Sequence, residues 1–193
     1  MEAGKTDRRV KYTKALLRDA LVELMQKNHI SGISVKALCD LADVNRSTFY
    51  NHYADQYDLL NQIEQEALDK LKRHLERQDY YDNQPISAQV LTSILEYVKE
   101  NAGLFKALLS ENCDFAFQKD VIILAEIISS QLSPVTDARM QEYVQEFGIN
   151  SCVCIVKKWL HDGMIEPPVK ISEFILQMLY HGVSSFQQEN FYT

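Results

Sequence analysis

Apolar side chains recur every three or four residues along most of this 193-residue chain, which is the period of amphipathic helices rather than strands. The low content of six glycines and four prolines also favours helices over a loop-rich or all-β design. The sequence therefore predicts an all-α protein of about nine helices. Besides two short helices between residues 34 and 53, helices are predicted at about 7–28 or 13–28, 56–77, 88–101, 103–111, 114–131, 137–163 and 171–188.

The segment 34–53 predicts two short helices joined by a three-residue turn. In the first helix, Leu38 and Ala42 share an apolar face, and Ser34 is placed to act as the N-cap. The turn breaks the apolar pattern and ends at Asn45, a residue that suits the N-cap of the second helix. This arrangement is typical of a helix-turn-helix, whose second helix lies in the DNA major groove.

The second of these helices, predicted at about 46–52, has one apolar and one polar face. Phe49 and Tyr53 lie four residues apart, so both are expected to point inward. At a rise of roughly 1.5 Å per residue the helix is about 10 Å long, close to the major-groove width of roughly 12 Å. Its outward face carries Arg46, Ser47, Tyr50 and Asn51.

The stretch VNRSTFYNHYADQYDLL resembles the DNA-binding signature of the TetR family of bacterial transcriptional regulators in the order, spacing and type of its residues. The match runs from about Lys14 to Leu60. The C-terminal half, including residues 147–148 and 158–163, resembles the short effector domains of Gram-positive members through fewer residues. One departure is Gln56, because the family very often has a phosphate-binding lysine there, and a neutral amide removes one cationic contact.

The resemblance implies a sequence-specific DNA-binding transcriptional regulator and assigns roles to the outward residues. Arg46 is expected to reach a base edge, because a guanidinium suits the two acceptors of guanine. Tyr50 and Asn51 are expected at bases or at the backbone of double-stranded DNA, and most of the other residues at phosphates. The expected DNA contacts are Lys14, Ser34, Asn45, Arg46, Ser47, Thr48, Tyr50, Asn51, His52 and Gln56.

Residues 1–55 are expected to form the helix-turn-helix domain, and residues 56–193 a helical ligand-binding and dimerisation domain. The helix predicted at 137–163 is apolar nearly all the way round from Phe147 to Leu160, so this part must be covered on every side. We expect a homodimer to supply this cover, with burial inside one subunit as the alternative. The resemblance implies dimerisation through the last two long helices. The expected interface residues are Phe147, Gly148, Ser151, Ile155, Phe174, Ile175, Met178, Leu179, Val183 and Phe186.

The resemblance also implies a repressor that leaves a pseudo-palindromic operator when a small apolar or amphipathic effector binds the C-terminal domain. One alternative is an activator or co-regulator controlled by a protein partner. Another is an all-helical enzyme without a recognisable motif. Aromatic residues at helical spacing belong to a core more often than to a ligand site. The candidate effector-binding residues are Tyr97, Phe105, Phe115, Phe117 and Trp159.

The charge distribution agrees with a DNA-binding end, although the net charge of the chain is −7. Residues 1–54 carry nine basic and six acidic side chains, whereas residues 79–193 carry seven basic and fifteen acidic side chains. A basic head with an acidic body orients a protein on a polyanion.

The rest of the composition indicates no particular ligand or reaction. No apolar run is long enough to span a bilayer and the N-terminus carries no export segment, so a cytoplasmic protein is expected. Cys39 and Cys154 fall among apolar neighbours and are expected as reduced core thiols. The histidines and cysteines have no metal-ligand spacing, and the common catalytic motifs are absent, so no metal, cofactor or catalytic residue is expected.

Overall fold

The computed structural model describes residues 3–76, 87–113, 117, 119–121 and 138–182. Within these residues all regular structure is helical, which confirms the predicted all-α fold. Most of the helix predicted at about 114–131 lies outside the described residues. The helices are α1 (Ala3–Met25), a short 3-10 helix (Ile30–Gly32), α2 (Val35–Ala42), α3 (Arg46–Tyr50), α4 (Gln56–Glu76), α5 (Ala88–Glu100), α6 (Ala102–Leu108), α7 (Ala138–His161) and α8 (Pro168–His181).

The chain divides into two compact units. The first comprises Met1–Asp69 together with Gly103–Gln118, and the second comprises Lys70–Ala102 together with Lys119–Thr193. The first unit therefore holds α1 to α3, most of α4 and most of α6. The division expected between residues 55 and 56 concerns the roles of the two parts, and it stays a prediction.

In the first unit, α1 packs on α2, and α2 packs on α3. The apolar faces predicted for α1 and α4 are buried, as their helical spacing requires. Burial of each large apolar side chain stabilises the fold by about 1.5–3 kcal/mol, so these faces hold the short helices α2 and α3 in place. The core side chains of this unit include Leu17, Leu21, Met25, Ile30, Leu38, Phe49, Tyr53, Leu59 and Ile63.

In the second unit, α5 packs along α8. Ser87 accepts a hydrogen bond from the amide of Val90 at 3.3 Å and begins α5 as predicted. Thr92 and the fully buried Ser172 lie 2.7 Å apart, oxygen to oxygen. Because Ser172 donates its single proton to the carbonyl of Val169 at 2.8 Å, Thr92 donates within this pair.

The turn between α7 and α8 is fixed by the buried Trp159. Its indole N–H donates to the carbonyl of Glu166 at 2.9 Å, across the turn. Gly163 and Met164 both have positive φ, at 87° and 57°, so the chain reverses through two left-handed residues. The glycine takes this conformation at no steric cost, whereas Met164 must be held in it by the surrounding bonds.

The structure corrects three details of the sequence prediction. α3 ends at Tyr50 rather than near residue 52, because the amide of His52 bonds to the carbonyl of Phe49, three residues back. α8 begins at Pro168 rather than at residue 171, since a proline in the first turn leaves no helical hydrogen bond unmade. Cys39 is buried as expected, but Cys154 is exposed on α7.

We predict that Trp159→Phe destabilises the protein by about 1–3 kcal/mol, because the carbonyl of Glu166 loses its buried donor. Trp159 is the only tryptophan of the chain, so unfolding must be followed by far-ultraviolet circular dichroism during thermal or urea denaturation. Lys158→Ala serves as the control, because it removes only the exposed ion pair to Asp162. An equal loss of stability in both variants would contradict this role of the indole.

Candidate nucleic-acid interface

The start of α3 is fixed by the side chain of Asn45. Its Oδ1 accepts hydrogen bonds from the backbone amide and from the hydroxyl of Ser47, both at 2.9 Å. The predicted N-cap is therefore confirmed, and it satisfies an amide that the first helical turn leaves without a partner. Since the hydroxyl of Ser47 donates to Asn45, it must rotate before it can donate to a phosphate.

The orientation of α3 follows from two buried aromatic rings. Phe49 is completely buried and Tyr53 is 5% exposed, with their ring centroids 5.5 Å apart. Three polar residues of this segment are turned outward, as predicted: Tyr50 is 58% exposed, and Arg46 and Asn51 are also exposed. A guanidinium, a phenol and an amide are thus all exposed here, and all three side chains can hydrogen-bond to base edges or phosphates.

Lys14 of α1 reaches the same part of the molecule. Its Nζ lies 5.6 Å from the centroid of the Tyr53 ring, which is the geometry of a cation–π contact. The ring therefore holds a cation of α1 close to the end of the helix-turn-helix. Burial, the largest effect, raises the pKa of the Tyr53 hydroxyl, so this hydroxyl is neutral at neutral pH while the ring contacts Lys14.

The first turn of α4 is capped twice. Asp55 Oδ1 accepts from the amides of Tyr57 and Asp58 at 2.9 Å, so Asp55 is the N-cap of α4. Asp58 Oδ2 accepts in turn from the amide of Ala54 at 2.9 Å. This bond is the main reason that the pKa of Asp58 is lowered, with smaller effects from Gln62 and Lys14. Gln56, the first residue of α4, is half-buried beside these caps.

The other residues expected to contact DNA lie in the same unit. Ser34 is exposed and caps α2 as predicted, its Oγ accepting from the amide of Ala37 at 3.1 Å. Thr48 is half-buried, and its amide bonds to the carbonyl of Asn45 at 2.9 Å. His52 is half-buried, with its ring 6.2 Å from that of Tyr53. Contact of any of these side chains with DNA stays a prediction.

The described aromatic residues of the expected effector site are all buried. Phe105 and Phe117 belong to the first unit, where their ring centroids are 6.4 Å apart. Tyr97 and Trp159 belong to the second unit, and Phe115 lies outside the described residues. Trp159 has a structural task in the turn before α8, so its burial by itself gives no support to effector binding.

The sequence did not predict a polar cluster that surrounds Tyr97 in the structure. The imidazole of His74 stacks on the Tyr97 ring at 5.6 Å, and its Nδ1 lies 3.2 Å from the hydroxyl of Ser93. The ammonium of Lys70 lies 5.7 Å from the centroid of the same ring. The positions 70 and 74 share one face of α4, which was the available signal, but their aromatic partner on α5 is distant in sequence.

Exposed apolar residues lie on both of the helices expected to form a dimer interface. Phe147 on α7 is 69% exposed and Phe174 on α8 is 38% exposed. Single exposed apolar residues are common, but here Met140 and Tyr143 extend the exposed surface along α7. The half-buried members of the expected interface are Ser151, Ile155, Met178 and Leu179.

Gly148 and Ile175 of the expected interface are buried within the chain. A Cβ atom built on Gly148 would lie 3.2 Å from Cδ2 of Leu179, so the small residue allows α7 and α8 of one subunit to approach closely. This contact accounts for the glycine without a second subunit, and its place in a dimer interface stays a prediction. Val183 and Phe186 lie outside the described residues.

The described residues contain neither a membrane-spanning helix nor a metal-binding cluster. None of the described helices combines the length and the apolar character that a membrane span needs. The same residues contain no group of three or more histidine, cysteine, aspartate or glutamate side chains arranged to hold a metal ion.

Comparison with known families gives one match to a family model, described as the C-terminal region of transcriptional regulators, over residues 87–181. A match of 20% identity over 172 residues is to the helix-turn-helix-type transcriptional regulator YxbF of Bacillus subtilis, and it covers 86% of this chain and 44% of that protein. The DhaS transcriptional activator of the dhaKLM operon of Lactococcus lactis is 33% identical over 96 residues, which are 50% of this chain and 48% of DhaS. The chain thus spans about half the length of the curated relatives it matches.

The fold is also found in solved structures. A TetR transcriptional regulator from Streptococcus agalactiae superposes with a TM-score of 0.66 at 23% identity, covering 93% of this chain and 99% of the other. At this identity the likeness shows the fold alone.

We predict that Asp58→Asn flattens the dependence of stability on pH at the acid end. The folded chain holds the pKa of Asp58 below its ordinary value of 3.8, so the carboxylate stabilises the fold above that pH. This contribution is lost as the pH falls through the lowered pKa. Asparagine still accepts from the amide of Ala54 but does not titrate.

The measurement is the thermal midpoint of wild type and variant between about pH 2 and 6, a range that spans the ordinary aspartate value. Asp19→Asn, at an exposed position of α1, removes the same charge away from this cap. Parallel curves for wild type and Asp58→Asn would show that the cap does not act through its charge.

Proposed function

Because the chain belongs to the TetR family of transcriptional regulators, we propose that it binds a pseudo-palindromic operator as a homodimer and thereby controls transcription. Each subunit inserts α3 into the major groove of one half-site. The observation that carries this proposal is the exposed polar face of α3, held outward by the buried ring of Phe49. Twofold symmetry of the protein then requires twofold symmetry of the operator.

Arg46 reads a base in this proposal. It is exposed at the first position of α3, and the N-terminal residues of a recognition helix are the ones that contact base edges. Its guanidinium can donate two parallel hydrogen bonds to guanine. Tyr50 and Asn51, which are also exposed, contact neighbouring bases or the backbone.

Phosphate contacts fix the register of the protein on the duplex. Lys14 supplies a positive charge near the end of the helix-turn-helix, where the Tyr53 ring already orients it. Gln56 supplies a neutral donor at the start of α4. We therefore expect binding to rely on fewer cationic contacts than in relatives that have lysine at this position, with a correspondingly shallower dependence on salt.

We propose that a small apolar or amphipathic effector binds among the C-terminal helices and changes the affinity for DNA. An effector can act only if it binds one of two conformations more tightly than the other. The surroundings of Tyr97, where Lys70 and His74 lie against its ring, suggest that an effector with a polar end suits this region better than a purely apolar one.

The sign of control has two candidates. A repressor that the effector releases is the first. The second is an activator controlled by a protein partner; the 33% identity to half of the L. lactis activator favours activation and says nothing of the partner. Transcription from the target promoter with and without the gene distinguishes them, because deletion raises expression for a repressor and lowers it for an activator.

We predict that Arg46→Ala weakens operator binding by about 1–3 kcal/mol and relaxes sequence preference at one position of each half-site. The operator is first selected from random duplexes with the wild-type protein, and affinities are then measured by fluorescence anisotropy. Arg46→Lys keeps the charge but loses the paired hydrogen bonds, so it separates base reading from charge.

The matched control is Arg73→Ala, which removes the same charge from an exposed position near the end of α4. It should leave operator binding almost unchanged. If Arg46→Ala and wild type bind the selected operator equally, Arg46 is not the base-reading residue. If the wild type selects no sequence and binds no duplex in a salt-dependent way, the proposed function itself fails.

We predict that Phe147→Lys converts the proposed dimer to a monomer in sedimentation velocity, because a charge replaces a large exposed apolar contact. Gly148 is unsuitable for this test, since its substitution strains the contact with Leu179 inside the subunit. Ile165→Lys is the control, because Ile165 is 80% exposed in the turn between α7 and α8 and outside the proposed interface. Dimers that persist in Phe147→Lys would exclude this position from the interface.

A further inference from the structure

The end of α1 is held by a residue that lies 87 positions away in the sequence. The last carbonyls of a helix have no partner within it and need one elsewhere. Asn112 provides one: its Nδ2 donates to the carbonyl of Met25, the last residue of α1, at 3.1 Å. Met25 is 1% exposed, so this end of the helix is largely shielded from water.

The same residue also fixes the connection between α1 and α2. The carbonyl of Asn112 accepts from the amide of Ile30 at 3.0 Å. Ile30 is completely buried and begins the short 3-10 helix that precedes α2. A buried amide without a partner is costly, so this bond and the bond to Met25 tie both ends of the segment 25–30 to one asparagine.

The turn that carries Asn112, residues 110–113, is itself anchored. Ser110 accepts from the amide of Asn112 at 3.1 Å and donates to the carbonyl of Ala107 at 2.7 Å. The buried thiol of Cys113 donates to Glu64 of α4, with Sγ and Oε1 3.4 Å apart. The turn therefore contacts α4 as well as the end of α1, and all of these residues belong to the first unit.

A second hydrogen bond holds the preceding helix to the same end of α1. Nε2 of Gln26 donates to the carbonyl of Gly103, near the start of α6, at 2.9 Å. Both ends of the segment 103–113 are thus bonded to the last residues of α1 or to the connection that follows it.

We propose that Asn112 is a positioning residue for DNA binding. By holding the segment between α1 and α2, it sets the place of α2 and therefore of α3, which packs on α2. A change in the turn 110–113 then alters operator affinity although no residue of the turn touches DNA. This inference rests on the proposed function, because it concerns the affinity of α3 for its operator.

The test compares Asn112→Asp with Asn28→Asp in the full-length protein. Asn112→Asp loses the donor to Met25 and places a negative charge against the carbonyl. Asn28 also donates through Nδ2 to a carbonyl at the end of α1, that of Leu24 at 3.0 Å, but it has no link to the turn 110–113. The control therefore removes the same kind of bond from the same helix end.

Hydrogen exchange of the amides of residues 26–38 reports the tie without requiring DNA. We expect faster exchange in Asn112→Asp, including at Ile30, and little change in Asn28→Asp. Equal exchange rates in wild type and Asn112→Asp would show that Asn112 does not hold the segment between α1 and α2. Should Asn112→Asp fail to fold, Asn112→Ser is measured in its place by the same criteria, because the shorter side chain does not reach the carbonyl of Met25.

DNA binding reports the positioning. We expect Asn112→Asp to weaken binding to the selected operator roughly 2- to 12-fold, the equivalent of one net hydrogen bond, while affinity for a random duplex stays unchanged. If Asn112→Asp only damages the fold, the affinities for the operator and for the random duplex fall by the same factor. That result, or no change in either affinity, overturns the proposal that Asn112 positions α3. If wild type binds no operator, the proposed function has failed, while the exchange data still decide whether the tie exists.

Discussion

The burial of the Phe49 ring is the constraint on which the candidate interface depends. α3 has only five residues, too few for a helix to be stable by itself, so packing decides both its existence and its orientation. With Phe49 completely buried and Tyr53 almost so, Asn51, which lies about half a turn from Phe49, faces outward. The cap from Asn45 then fixes where the helix starts, and with it the place of Arg46.

The neighbouring elements are locked by polar contacts around the same core. The first turn of α4 is closed by two aspartates that accept backbone amides, and Lys14 of α1 lies over the ring of Tyr53. Lys14 of α1 and Phe49 of α3 therefore both contact the ring of Tyr53, which accepts a cationic and an apolar partner. Because α3 is short and depends on these contacts for its position, we expect a displacement of α1 or α4 to move α3 as well.

Local features of this architecture were predictable from the sequence, and distant ones were not. The caps at Ser34 and Asn45 and the inward face of α3 follow from short spacings, and the structure confirms them. The hydrogen bond from Asn112 to Met25 at the end of α1 joins residues 87 apart, and no periodicity encodes such a pairing. Similarly, Gly148 was expected in the dimer interface, and the sequence alone did not show that its close neighbour is Leu179 of the same chain.

The surroundings of Gly148 bear on how α7 meets two different partners. Consecutive residues of a helix point about 100° apart, so Gly148 and Phe147 belong to different faces. Gly148 faces α8 within the subunit, whereas Phe147 is 69% exposed. A helix that packs inside its own chain along one face still has the other to cover. The apolar positions between Phe147 and Leu160 are explained if one face of α7 packs within the subunit and another packs on the second copy that we propose, because neither contact alone covers all of them.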